Sequence, residues 1–164
     1  MRRQTVHAIF FSLFFLLAAP VAPFAEEQKA PSAPERTKFQ SINLDQVIAN
    51  TRRDDGQRLI LRPARPVKLD IEIMRLPEAR KLEYIYTALR VGGGLDPLPE
   101  VSHRMFVKTR GGAIIPVYVE DMAALKIKDR LKVGQKVRFN AFHVYNYSKG
   151  PAFLVVGFEK EPGT

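Results

Sequence analysis

The chain contains no cysteine and no tryptophan, and its 164 residues hold only three histidines. Without cysteine there is no disulfide framework, no thiol nucleophile, no thiolate metal site and no acylation site of the lipoprotein type. A zinc site needs three or four ligands in one place. His103 and His143, the two histidines beyond the N-terminal region, have no acid near them at ligand spacing. Acids are scarce too: 17 Asp and Glu stand against 26 Lys and Arg, a formal charge of +9. Nucleophile motifs such as G-x-S-x-G and Ser-x-x-Lys are missing. Gly92-Gly93-Gly94 is not G-x-G-x-x-G and reads as a flexible stop. With 46% hydrophobic residues the chain is too apolar to be wholly disordered. Its length allows one modest domain, or two very small ones.

What is present begins with an export signal. Met1-Arg2-Arg3 is a short basic start, and Ala8 to Ala19 is almost wholly apolar. Pro20 and Pro23 follow, with the small residues Ala22 and Ala25. That is the layout of a secretory signal peptide over residues 1–25. An uncleaved anchor is the alternative, but the run is about a dozen residues against the roughly 20 needed to span a bilayer. The expected location is the bacterial periplasm or the outside, with no further span. Removing Arg2 and Arg3 lowers the net charge from +9 to +7. Residues 26–40 are polar and Pro-rich and read as a flexible lead. Residues 41–164 read as a single β-rich domain, with a barrel core at about 67–160.

Asn43 is a plausible N-cap for a helix over 41–55, with Leu44, Val47 and Ile48 on one stripe. Arg58–Leu61 reads as a short strand that Pro63 and Pro66 interrupt. Val67, Leu69, Ile71 and Ile73 alternate with Lys68, Asp70 and Glu72, a half-buried strand ended by Pro77. Residues 78–91 keep helical spacing, though YIYTALRV holds enough β-formers to leave a strand open. Gly111-Gly112 between apolar runs predicts a hairpin in which both glycines need positive φ. Pro116 puts the second arm at an edge or bulge. Glu120 to Leu125 predicts a helical turn. Long strands are expected over 135–145, with a bulge near Ala141–Phe142, and over 152–159.

The stretch KVGQKVRFNAFHVY, a turn, and AFLVVGFE are similar to the last third of an OB-fold barrel. The resemblance, to exported bacterial OB-fold domains as a broad group, covers roughly residues 67–160. The large insert from Pro77 to Val107 departs from it, and an SH3-like barrel is the runner-up. The fold class is mainly β with one or two helices. The resemblance implies a barrel that presents a face to oligonucleotide, oligosaccharide or protein. It does not choose among them.

The candidate site pairs cations with rings. Lys126, Lys128, Arg130, Lys132, Lys136 and Arg138 form a cluster diluted only by Asp129. If 125–133 is extended, its cations share one side; if helical, 126/130 and 128/132 fall on different sides. Six of the eleven aromatic residues after position 25 lie between Phe139 and Phe158. Phe139, Phe153 and Phe158 read as core, whereas Phe142, Tyr145 and Tyr147 read as candidates for exposure. His143 reads as a structural, hydrogen-bonded residue. Ser102-His103 lacks an acid in any recognised context, and Asp54-Asp55 and Glu120-Asp121 read as turn and cap. No catalytic residue, metal or cofactor is expected.

These features point to a non-enzymatic binding or adaptor module of the envelope, whose partner is an envelope polymer or a protein. A single-stranded nucleic-acid-binding OB-fold is the alternative, disfavoured by export. A hydrolase or lyase would require a carboxylate–histidine cluster assembled from distant segments. Intact-mass analysis of exported protein is expected to place the mature N-terminus at or near Glu26; retention of Met1 would contradict cleavage.

Overall fold

The computed structural model describes residues 37–53, 59–147 and 150–159. The signal peptide, nearly all of the 26–40 lead and the Asp54-Asp55-Gly56 helix end lie outside them. The described chain runs β1 (Gln40–Ser41), α1 (Leu44–Arg53), β2 (Ile60–Ala79), α2 (Glu83–Gly92), β3 (His103–Lys108), β4 (Ile114–Val119), α3 (Asp121–Arg130), β5 (Lys136–Tyr147) and β6 (Gly150–Glu159). It is mainly β, with three helices among the described residues rather than one or two.

The central element is β2, which is 20 residues long. Its first part, from Ile60 to Glu72, pairs antiparallel with β5, and from Glu72 to Ala79 it pairs antiparallel with β3. β3 pairs with β4, β4 pairs parallel with β6 at Tyr118–Leu154 and Val119–Val155, and β6 pairs with β5. Following neighbours from β2 through β3, β4, β6 and β5 therefore leads back to β2. The expected break at Pro63 and Pro66 does not occur, nor does the stop at Pro77. Proline cannot donate to a ladder, but these prolines do not have to. Pro63 sits in the register shift between Leu61 and Arg65, and Pro77 in the shift between Arg75 and Glu78. Pro66 lies opposite Phe142 just before β1 joins the other edge at Val67.

Period-2 geometry puts Val67, Leu69, Ile71 and Ile73 inside, with Met105, Val107, Ile115, Val117, Val119, Val137, Phe139, Ala141, Phe153 and Val155. α3 closes one side of this core with Ala123, Ala124, Ile127 and the following Leu131. α1 adds Leu44 and Ile48. Asn43 caps α1 as expected, its Oδ1 accepting from the Gln46 N–H at 3.1 Å. Asp45, in the first turn, accepts from the Thr109 hydroxyl and, at 2.9 Å, from the Gly111 N–H. This ties α1 to the β3–β4 hairpin.

That hairpin forms where expected but turns differently. The Gly112 N–H donates to Thr109 C=O at 3.0 Å and the Thr109 N–H to Ala113 C=O at 2.9 Å. Gly112 has φ +85° and Gly111 is not in the positive-φ region. The loop is a three-residue turn with one left-handed glycine, not a mirror-image pair. Gly111 matters for a different reason: a Cβ there would meet Asp45 Oδ1 at 2.7 Å.

The insert between β2 and β3 carries α2, so the helix expected over 78–91 forms, but over 83–92, because β2 runs on through Glu78 and Ala79 to pair with β3. Ile85, Ala88 and Leu89 build a second core with Val101, Val144, Tyr145, Ala152 and Leu154. A Cβ on Gly94, which has φ +90°, would meet the Ala64 backbone nitrogen at 3.0 Å, and Gly93 C=O accepts from the Ala64 N–H at 3.1 Å. The glycine run is thus a close approach of backbones, not a slack stop. The expected irregularity in β5 is real: the β5–β6 register shifts between Asn140 and Ala141 and again between His143 and Tyr145. These shifts let β5 feed the first core through Phe139 and Ala141 and the second through Val144.

Phe139 is fully buried. Phe139→Ala is expected to cost about 3–5 kcal/mol in a denaturant melt, and Gly112→Ala about 1–2 kcal/mol for its left-handed backbone. Unchanged melting of either variant would contradict the packing or the turn assigned here.

Candidate functional site

The six cations of the basic stretch divide between two elements. Lys126, Lys128 and Arg130 are on α3, Lys132 follows it, and Lys136 and Arg138 begin β5. The extended alternative for 125–133 is therefore overturned, and no single stripe exists. Lys126 and Arg130, four residues apart, share a helix flank. That flank faces the start of β5 and the end of β6 across a groove of about 680 Å³, lined by Lys126, Arg130, Lys136, Leu131, Val156 and Phe158, among others. Lys128 and Lys132 do not line it. Arg130 Nε meets Asp129 at 3.7 Å, with both side chains exposed, a pairing worth little in water. Lys126 and Lys136 have no ion pair among the described residues. Glu159, the groove's acid, is held by Lys68 at 2.7 Å.

Arg138 belongs to a second, adjoining depression of about 790 Å³ that shares Lys136, Val137 and Glu159 with the groove. There three of the four lining cations are paired. Arg138 donates to Asp70 through Nε at 2.5 Å and Nη2 at 3.1 Å, and Arg110 Nη2 adds a bond at 2.8 Å. Lys108 pairs with Glu72 at 3.0 Å. The hydrogen bond from Arg138 holds the Asp70 carboxyl below the usual carboxylate range; burial opposes this, and the charges of Arg138, Arg110 and Lys68 assist it.

The expected aromatic edge is not beside these cations. Lys136 and Tyr147 stand at opposite ends of β5, on the order of 30 Å apart along the strand. Phe142 is half-buried and packs 5.6 Å from Phe39. Tyr145 is buried, which overturns its expected exposure: α2 brings Tyr84 edge-on at 5.4 Å, and Tyr118 hydroxyl meets Tyr145 hydroxyl at 2.7 Å. Burial, then that hydrogen bond, pushes the Tyr145 phenol upward. Tyr147 is the exposed member, with its ring 6.3 Å from that of Tyr145. His143 is structural, bonded to Asn146 Oδ1 at 2.6 Å and packed on Phe153 at 4.8 Å.

Two constellations were not foreseen. On the outer face of β3, two guanidinium groups lie near the Phe106 ring, Arg75 at 5.3 Å and Arg104 at 5.4 Å from its centroid. β2–β3 pairing places Arg75 opposite Phe106. The second joins Ser102, His103 and Asp121. Asp121 Oδ1 accepts from the Ser102 N–H at 2.7 Å and the Ser102 hydroxyl at 2.8 Å, and meets His103 Nδ1 at 2.9 Å. Ser102 Oγ meets the same Nδ1 at 3.1 Å. A nucleophile–base–acid relay uses both ring nitrogens; here serine and acid share one. The cluster is a clamp that pins the entry of β3 to the first turn of α3. Burial pushes Asp121 up, but the bonds from His103 and Ser102 outweigh it and hold the carboxyl low.

Asp70 and Asp121 are both lowered from an ordinary 3.8. A carboxyl depressed in the folded state contributes stability above its unfolded pKa and loses it as pH falls through the folded one. Asp70→Asn is therefore expected to destabilise the protein at neutral pH, and its gap from wild type to close as pH falls below the ordinary carboxylate range. Denaturant melts across that range showing a constant gap would contradict the linkage.

No protein-family model matches the chain, and searches of curated proteins and of solved structures return no match.

Proposed function

We propose that the chain is an exported, non-enzymatic binding module of the bacterial envelope, built on an OB-fold barrel, that takes an anionic polymer in the groove between α3 and the ends of β5 and β6. The barrel is supported by the strand order that returns to β2, by a helix between the third and fourth of the five long strands, and by the parallel pairing of the third and fifth. α2 is then an insertion in the first connection. Export is supported by the N-terminal charge and hydropathy pattern.

The observation that carries the ligand class is the convergence of Lys126, Arg130 and Lys136 on one groove whose acid already has a partner. Cations with weak counter-charges or none in a concave site attract polyanions and focus their approach. Leu131, Val156 and half-buried Phe158 give that groove an apolar floor. An acidic polysaccharide, with charged groups on rings that also have apolar faces, suits both surfaces.

Phe106 favours a second reading. A ring flanked by two arginines on an outward strand face can stack a base, and such stacking is worth about 1–3 kcal/mol. Single-stranded nucleic acid would then lie across β3, away from α3.

Fluorescence anisotropy with labelled heparin and labelled oligothymidylate separates the two. Heparin is expected to bind and to weaken steeply with salt, and Lys126→Glu, Arg130→Glu and Lys136→Glu together to weaken it at least about tenfold without changing the melt. A folded triple variant that binds heparin as wild type does would contradict the groove. Tighter binding of oligothymidylate, lost in Phe106→Ala, would replace this reading with the second.

A further inference from the structure

The outer face of α3 carries a feature that the groove does not use. The helix buries Ala123, Ala124 and Ile127. On the opposite side Met122 and Leu125, three residues apart, are 57% and 59% exposed. Val133, in the turn just after the helix, is 58% exposed. One exposed apolar side chain needs no explanation. Two on adjacent turns of one helix, with a third at its end, are a pattern. Lys126 stands on one flank of this face and Lys128 on the other, with Lys132 beyond the helix end; all three are exposed. Asp129, whose side chain is 78% exposed, shares the face, and its 3.7 Å contact with Arg130 is weak, so the positive surplus of the face rests on three lysines outnumbering one acid.

We propose that this face docks the protein on an anionic lipid surface, Met122 and Leu125 entering the acyl boundary and the flanking lysines meeting the head groups. Shape and charge both select that occupant. The face is the convex side of a helix, so it offers no cleft for a peptide strand or a side chain. A bilayer presents a flat apolar layer beneath a charged one, which is the order in which this face presents its own groups. Interfacial helices combine apolar knobs with lysines on the polar flanks for this reason, and each lysine near an anionic surface adds attraction. The inference does not depend on what fills the groove: Lys126 borders both, but Met122, Leu125, Lys128 and Lys132 do not line the groove, and a soluble polyanion has no apolar layer to receive the two apolar side chains.

Because the chain has no cysteine, Leu125→Cys in the full-length protein gives a single labelling site for an environment-sensitive fluorophore. Vesicles of phosphatidylcholine with phosphatidylglycerol are expected to shift its emission to the blue and to allow quenching by a lipid-chain-borne quencher. Pure phosphatidylcholine vesicles and heparin are expected to do neither. In co-sedimentation with the mixed vesicles, Met122→Ser with Leu125→Ser is expected to bind at least about tenfold more weakly than wild type, with heparin binding unchanged. Apolar residues 8–19 are common to both proteins, so their difference reads α3. No spectral shift on the mixed vesicles, an equal shift on pure phosphatidylcholine, or sedimentation of the double variant equal to wild type would each overturn the proposal. Heparin binding reports the groove separately in every case.

Discussion

Glu72 is the residue at which β2 changes partners, and the rest of the structure depends on that handover. It lies opposite Lys136 of β5 on one side and Lys108 of β3 on the other. A shorter strand would serve one partner and leave the other an open edge, with unpaired backbone groups. Because β2 continues through both, the tip of the β3–β4 hairpin and the start of β5 meet beside it. α3, between β4 and β5, is then held over the core by Ala123, Ala124, Ile127 and Leu131. The groove is a consequence: one wall is α3, and the other is the β5–β6 margin that β2 fixes.

The same arrangement sorts the charges. Asp70, Glu72 and Glu159 face outward near the handover and take Arg138 and Arg110, Lys108, and Lys68 respectively. Exposed pairs of this kind add little stability. Their effect is on position and field: they neutralise the cations around β2 and leave Lys126 and Lys136 without ion pairs among the described residues, with Arg130 held only loosely. Two cations without an ion pair, Lys126 and Lys136, thereby face each other across one groove with Arg130 beside them, an arrangement suited to the anion proposed for it.

Local signals were legible in the sequence and long-range ones were not. The Asn43 cap, the alternation from Val67 to Ile73, the Gly-containing hairpin and the register slip in β5 each lie within a few residues, and each is where the pattern puts it. LKIKDRLKV misleads because Leu125 and Val133 are exposed: they supply a false period of two over a helix whose buried residues, Ala123, Ala124, Ile127 and Leu131, keep the helical one. The prolines of β2 mislead because their tolerance depends on where neighbouring strands end. Tyr145 looks exposable until α2, inserted from a distant segment, covers it. The six-cation cluster was visible, but which members meet was not: Lys126, Arg130 and Lys136 converge only through the packing of α3 on the sheet. Phe106 with its two arginines, and Ser102–His103 with Asp121, carry no local signature, since strand pairing and a helix start bring them together.

If a sheet fixed by β2 holds the basic groove ready for the proposed anionic polymer, both the sheet and the groove leave a mark in solution. Amide hydrogen exchange on the full-length protein, with and without heparin, tests this most directly. The account predicts the slowest exchange at Leu69–Ile73, and added protection with heparin confined to the end of α3, the turn at 132–135 and the neighbouring ends of β5 and β6. Fast exchange through the middle of β2 would contradict the scaffold, and heparin-induced protection centred on β3 around Phe106, or none at all, would contradict the site.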